Sequence, residues 1–589
     1  MRTPDVSVVV PTHDVGAWID ECLTSLLVDQ DVDLEVVVID DASSDDTVER
    51  AQAWARRDDR LRVLHNPGVG GGQARNYGVA VTTGEYLVFV DGDDIVPAGA
   101  YRAMLDAARA SGSDLVVGDF LKFSATQTWS PTARWPLFRE PARGTTLAAC
   151  PSLVRNRACW NRLFRRDFWV SAAIAYPSVP RSNDIVPMVT ALTAARTIDV
   201  VQDIVYLYRA RPGGTSMTAR AGIEAGTASY FTQELVCAEL VGGVPDAPEL
   251  ERTYWSMVLG SDGWVHVRRF VRERAHEPGP SDAAPSQVPG LVTQLLEHRD
   301  PGAWGRLAPE RQLVYALTAL GRVEWAGQVL DAIGEEDVPP VPMAPATALA
   351  AIEEAVGSAL VGEDSARLLA QRLVLDGMAT GGWTPDEADA RTLAALARQH
   401  PRWFSTPVSE VERPVHAQVR RALTEGDIAA LMQPRPVGEP LQVRGGVLHD
   451  RGLDLVLVSP SDAGPQTAPR VRAWAPGRPE SLTDVADIDT SRSSWQVTVR
   501  AKSLPQDGRW NLEAVYDTPA GRVQVPLELR RADVVVRRHR WGRIVLRGRR
   551  SGTVPLVVQR VPAPGRRLVR GLRRHGVRTL LRLPGLRSS

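Results

Sequence analysis

Residues 85–94 read E-Y-L-V-F-V-D-G-D-D, an apolar run that passes straight into three carboxylates, Asp91, Asp93 and Asp94, with Gly92 between the first two. The run predicts a buried strand whose carboxyl end carries the charge. Three like charges at one strand end are costly unless a cation neutralises them. The segment therefore predicts a divalent metal and, through it, a phosphorylated ligand.

Outward from that strand, the first third of the chain alternates short β-branched runs with helical patterns. Val6 to Val10, Leu34 to Ile39, Leu61 to Leu64, Tyr86 to Val90 and Leu115 to Val117 have the composition of parallel strands buried on both faces. Helices are predicted over Trp18 to Leu27, Asp46 to Arg57, Gly72 to Val81, and Pro97 to Ala110 with Pro97 at the first helical position. The fold class this implies is α/β, a doubly wound and mostly parallel sheet. Such sheets bind ligands at the carboxyl ends of their strands, where Pro11, Asp40, Asp41, Asn66 and Asp91 fall.

Four segments carry a resemblance: V-S-V-V-V-P-T-H-D (6–14), V-V-V-I-D-D-A-S-S-D-D-T (36–47), N-P-G-V-G-G-G-Q-A-R-N-Y-G (66–78) and G-E-Y-L-V-F-V-D-G-D-D (84–94). In order and spacing they resemble the motifs of family 2 glycosyltransferases with the GT-A fold. A-C-W-N-R-L-F-R-R (158–166), S-N-D-I-V (182–186) and Y-L-Y-R-A-R-P-G-G-T-S-M-T (206–218) resemble the acceptor half of the same domain. The resemblance covers roughly residues 1–220.

The resemblance implies roles residue by residue. Asp41 matches the acid that accepts a hydrogen bond from the nucleotide base. A carboxylate acceptor suits uracil, whose N3 carries a proton, better than cytosine, which implies a UDP-sugar donor. A helix cap is the competing reading of Asp41. Pro11 and Asn66 fall in the same nucleotide crevice, and Arg75 is placed near the nucleotide, where its fork suits a base carbonyl or a phosphate. Asp91 and Asp93 form the D-x-D element, one meeting the ribose and the other a Mn²⁺ or Mg²⁺ ion that bridges the phosphates. Asp94 reads as a cap for the helix near Pro97. Asp184 matches the general base of an inverting transfer, which needs only one such carboxylate. Asn183 stands where the family usually has Glu. Arg209, Arg211 and Ser216 read either as a loop that closes over the pyrophosphate or as solvated arginines on a linker.

The 589 residues are too many for one core, and the net charge of −1 hides an uneven distribution. From Arg531 to Ser589 there is one acid, Asp533, and Arg566 to Ser589 carries eight arginines. Cys22, Cys150, Cys159 and Cys237 are sparse and lack metal-ligand spacing, which fits buried thiols in a reducing cytosol. No apolar run approaches the roughly 20 residues of a membrane span, and the N-terminus lacks a signal-peptide core. The expected domains are a GT-A domain (1–222), a helical linker or scaffold (223–432), an antiparallel β-sandwich-like domain (433–560) and a basic amphipathic tail (561–589). The tail reads as a peripheral contact to the cytoplasmic membrane face or as a disordered extension. Its arginines accompany no recognised nucleic-acid reader, so nucleic acid is not an expected partner. The layout resembles that of wall teichoic acid glycosyltransferases.

Together these readings imply an inverting, metal-dependent transfer of sugar from a UDP-sugar to a hydroxyl of a cell-envelope polymer or lipid-linked glycan. Homo-oligomerisation is compatible with the helical and C-terminal regions. The alternatives are transfer of another activated group, such as a phosphopolyol, and a non-catalytic scaffold that binds glycan.

Overall fold

The computed structural model describes residues 3–133, 135–211, 223–276, 286–334, 341–379, 385–405 and 414–432, and beyond these the backbone of separate strands between 442 and 561. The chain divides into two compact units, Met1–Ala326 and Gly327–Ser589.

The first unit is organised by one nine-stranded sheet. Strands β1 (Val6–Thr12), β2 (Leu34–Asp40), β3 (Leu61–His65) and β4 (Tyr86–Phe89) alternate with helices α1 (Ile19–Leu27), α2 (Thr47–Ala55) and α3 (Gly71–Val81). Helix α4 (Ala100–Ser111) leads to β5 (Leu115–Phe123), and β6 (Thr128–Trp129), β7 (Ala142–Thr145), β8 (Arg162–Arg165) and β9 (Ile198–Arg209) complete the sheet. The order is β3-β2-β1-β4-β8-β5-β9-β7, with β6 against β5. Pairing is parallel from β3 through β4, and β8 enters antiparallel between β4 and β5. Helices on both faces seal the central strands, so β1 is buried along its whole length.

One glycine decides how closely α3 lies on that sheet. A Cβ at Gly78 would stand 2.3 Å from Val9 Cγ1, so only hydrogen lets the helix seat against β1. Helix α4 starts three residues later than its proline suggests, with Gly99 before it at φ 76°. Pro97 instead accepts the first turn, its carbonyl bonded by Ala100 N at 3.1 Å.

Helices α5 (Arg166–Ser171) and α6 (Ile185–Ala194) frame the far side of the sheet. Beyond them α7 (Ile223–Gly242), α8 (Pro248–Met257), one π-helical turn (Val258–Asp262) and α9 (Gly263–His276) follow. A buried charge network ties this helical part to the sheet domain. Arg157 pairs with Glu234 and, at 2.7 Å, with Asp262, while Tyr254 donates to Glu234 at 2.7 Å. In the second unit, helices between Pro345 and Met432 close around Ile352, Leu373, Leu393, Trp403 and Leu423.

The expectation of an antiparallel β-sandwich over 433–560 is corrected. The architecture is an α/β sheet followed by a helical region that runs to Met432. After it, the strand Gln442–His449 pairs in parallel with Glu528–Leu529 and Val534–Val536 as well as antiparallel with Gly452–Val458. Hydrophobic alternation reports which residues form strands but not their partners, so the antiparallel arrangement did not follow from it. The tail from 562 to 589 lies outside the described residues.

Candidate active site

The carboxyl ends of β1, β2 and β4 open onto a cavity of about 480 Å³. Its wall includes Pro11, Asp41, Arg75, Asp91, Asp93, Asp184 and Arg211, seven residues expected from the sequence. Asn66 and Arg209 stand behind that wall, and Ser216 lies outside the described residues.

Asp41 follows β2 and is held from two directions. Its Oδ1 accepts from Asn66 Nδ2 at 2.8 Å, and both oxygens accept from Gly70 N at 2.9 Å. Asn66 thus wraps the glycine turn onto Asp41. The start of α2 is served by Asp45, which accepts from Thr47 N at 3.0 Å, so Asp41 is not the cap. Asp40 is buried and holds Thr12 and Ser43, a purely internal contact.

Arg75 projects from α3 and is nearly buried. Its guanidinium bonds Asp91 at 2.6 Å and Asn183 at 3.4 Å, and lies over the Tyr176 ring at 5.4 Å. Burial works against its charge, yet the surrounding groups, Asp91 and Asp184 among them, raise its pKa overall.

Asp91 and Asp93 face the cavity, each with an arginine partner. Arg211 Nε meets Asp93 Oδ2 at 2.5 Å and stacks over Trp18 at 4.3 Å. Arg209 Nε bonds the Asp93 carbonyl at 2.7 Å and its Nη2 reaches Glu21 at 2.5 Å. Burial, together with the like charge of Asp91, pushes the Asp93 carboxyl above its usual range despite Arg211. Asp94 is fully buried and accepts from Tyr206 Oη at 2.8 Å and Arg209 N at 2.7 Å. It belongs to the fold, though by joining β4 to β9 rather than by capping a helix.

Asp184 sits at the start of α6 with no side-chain bond to that helix, so it does not cap it. Burial raises its pKa and Arg75 partly offsets the rise. The preceding turn is tightly built. Ser182 has φ 56°, and a Cβ at Gly72 would stand 3.3 Å from Asn183 Nδ2 and 2.9 Å from the Pro177 carbonyl.

Several wall residues had no role in the sequence reading: Trp18, Cys159, Trp160, Arg181 and Tyr208. Trp160 stacks on Tyr206 at 4.4 Å and 16°, and its neighbour Tyr208 is 5.7 Å away. An aromatic inside the quoted 158–166 segment was the available signal. Among the described residues no group of three or more His, Cys, Asp and Glu is arranged to hold a metal. Asp91 and Asp93 are thus a two-carboxylate set, the number a magnesium-like ion takes when substrate phosphates complete its shell.

With this geometry in place, residues 7–169 match the family described as glycosyl transferase family 2. This segment is a family 2 glycosyl transferase domain. The uncharacterized glycosyltransferase EpsJ of Bacillus subtilis is 29% identical over 213 residues, 36% of this chain and 62% of the relative. The uncharacterized glycosyltransferase YibD of Escherichia coli is 30% identical over 196 residues, 31% of this chain and 55% of the relative. The chain thus spans less than two thirds of the length of these relatives. The crystal structure of S. aureus TarS 1–349 with UDP-GlcNAc is 17% identical, covering 55% of this chain and 90% of that one at a TM-score of 0.45. That likeness is too loose to carry residue roles. The matched segment ends at residue 169, before Asp184.

Proposed function

We propose that this protein transfers a sugar from a UDP-sugar to an acceptor hydroxyl with inversion, at a cell-envelope polymer or lipid-linked glycan. One observation supports the reading above the others: Asp41, Asp91, Asp93 and Asp184 line one cavity, with Arg75 bonded both to Asp91 and to Asn183 beside Asp184. In this reading Asp41, backed by Asn66 and beside Pro11, receives the base. Arg75, Arg211 and Arg209 orient the diphosphate side.

Asp184 takes the proton of the attacking hydroxyl. Its raised pKa keeps it basic enough to do so, and its lack of an intramolecular cap leaves an oxygen for the acceptor. Asp91 and Asp93 would hold a Mn²⁺ or Mg²⁺ ion, because both line the cavity at one strand end and burial with the like charge of Asp91 holds the Asp93 carboxyl above its usual range despite Arg211. When bound, such an ion supplies Lewis-acid stabilisation of the departing diphosphate. Arg75 keeps Asp91 and the Asn183–Asp184 turn in fixed relation while the phosphates enter.

No helix among the described residues is long and apolar enough to cross a membrane. Membrane association, in this reading peripheral and at the cytoplasmic face, is assigned to the basic tail. The test is a radiolabelled transfer assay with a panel of UDP-sugars and polyol-phosphate, polysaccharide and lipid-linked acceptors. Turnover with a UDP-sugar supports the reading, and transfer of a phosphopolyol from its activated nucleotide in place of sugar replaces it.

A further inference from the structure

The cavity wall contains three described arginines, and they are not equivalent. Arg75 is paired with Asp91 and Arg211 with Asp93. Arg181 has no carboxylate partner among the described residues, and its Nε is buried without a hydrogen-bond acceptor. Its guanidinium is part-exposed on the cavity wall and carries no counter-charge from the described residues, which leaves it open to an anion supplied from outside the chain.

The position is built rather than incidental. The Arg181 carbonyl accepts from Ser229 Oγ at 2.9 Å and Gln233 Nε2 at 3.0 Å, two buried side chains of α7. Its side chain crosses α7 where there is no Cβ: one added at Gly226 would stand 2.9 Å from both Cδ and Nη1. Arg269 of α9 adds positive potential. After burial it is the group that lowers the Arg181 pKa, and it helps hold His266 neutral. Arg181 precedes Asp184 by three residues on one turn, which the φ of 56° at Ser182 bends toward the cavity wall they share.

We infer that Arg181 is a specificity-determining residue that binds a phosphate or carboxylate borne by the acceptor, beside the hydroxyl that Asp184 deprotonates. The inference rests on the sugar-transfer reading for the word acceptor. Its physical content, an anion subsite on the Asp184 side of the cavity, does not require turnover. The planar fork of arginine suits both anions, and the source is separated by the choice of probes.

The experiment titrates the full-length protein, with and without saturating UDP, with two matched pairs: glycerol 3-phosphate against glycerol, and glucuronate against glucose. In at least one pair the anionic member should bind roughly tenfold or more tightly than the neutral one. Which pair shows the difference identifies phosphate or carboxylate. Arg181→Met should bring that ratio close to one and leave UDP affinity unchanged, with Arg181→Lys intermediate because it keeps charge but loses the fork. Should Arg181→Met not fold, Gly226→Ala displaces the same side chain and carries the comparison.

Equal affinity for both members of both pairs in the wild-type protein overturns the inference. So does loss of UDP affinity in Arg181→Met, which moves the residue to the donor. Failure of the wild-type protein to bind UDP at all overturns the sugar-transfer reading instead, and the titrations without UDP still report on Arg181.

Discussion

Arg75 Nη2 stands 2.6 Å from Asp91 Oδ1, and the other arm of the same guanidinium reaches Asn183 Oδ1 at 3.4 Å. One side chain therefore spans the distance between the acidic strand end and the turn that carries Asp184. Removing it with Arg75→Met leaves Asp91 beside Asp93 without its counter-charge. The expected loss is about 2 kcal/mol, reduced from the fully buried case because Asp91 is partly exposed. Urea denaturation measures it, and Arg75→Lys should recover most of the stability while turnover stays low.

Asp184→Asn should lower turnover by about 10²- to 10⁴-fold and leave UDP affinity unchanged. The same variant should be more stable than wild type at pH 7. The folded-state pKa of Asp184 is raised, so its contribution to stability is full below the unfolded value near 3.8 and is lost as pH rises through the folded one. Melting curves at several pH values should show the gain closing in acid. The acid limb of kcat/KM should likewise lie above the ordinary carboxylate range.

His266 stacks on Tyr230 at 4.1 Å, and burial, reinforced by Arg269, pushes its pKa down to about 4. A depressed histidine stabilises the fold above its unfolded value of about 6.5, and the contribution falls away as pH drops toward 4. The loss should amount to about 3 kcal/mol. Hydrogen exchange in α7 and α9 reads it, and His266→Phe should flatten the dependence.

Gly78→Ala forces a methyl to within 2.3 Å of Val9 Cγ1. The expected cost is about 1–3 kcal/mol of overpacking. Combining it with Val9→Ala should return part of the loss, a non-additivity that denaturation of the two single variants and the double variant would expose.

Chelation should abolish transfer, and Mn²⁺ or Mg²⁺ should restore it. Asp93→Asn should require a higher ion concentration for half-maximal rate than wild type. An unchanged requirement removes Asp93 from the ion's ligands.

The sheet and the acidic motif were legible because both are local. β-branched runs of fixed spacing announce β1 to β4, and the carboxylates follow the strand that carries them. What Arg75, Arg181 and Trp160 touch was not legible, since their partners lie far along the chain. Those meetings depend on β8 entering antiparallel between β4 and β5, a topology that periodicity does not encode. Asp94 shows the limit within a single motif. Its neighbours in sequence are cavity residues, yet its partners are Tyr206 and Arg209. The second unit shows it on a larger scale, where alternating residues signalled strands without saying which would pair in parallel.

Asp94 also bears on how genetic data for this protein would be read. A screen for inactive alleles would return it alongside Asp91 and Asp93, and adjacency would assign all three to chemistry. Yet its carboxylate fastens the end of β4 to the point where the chain leaves β9. Alleles at this position should resemble folding lesions: low steady-state protein, temperature sensitivity and suppression by stabilising substitutions elsewhere. Protein abundance, measured before activity, would sort the third aspartate from the first two.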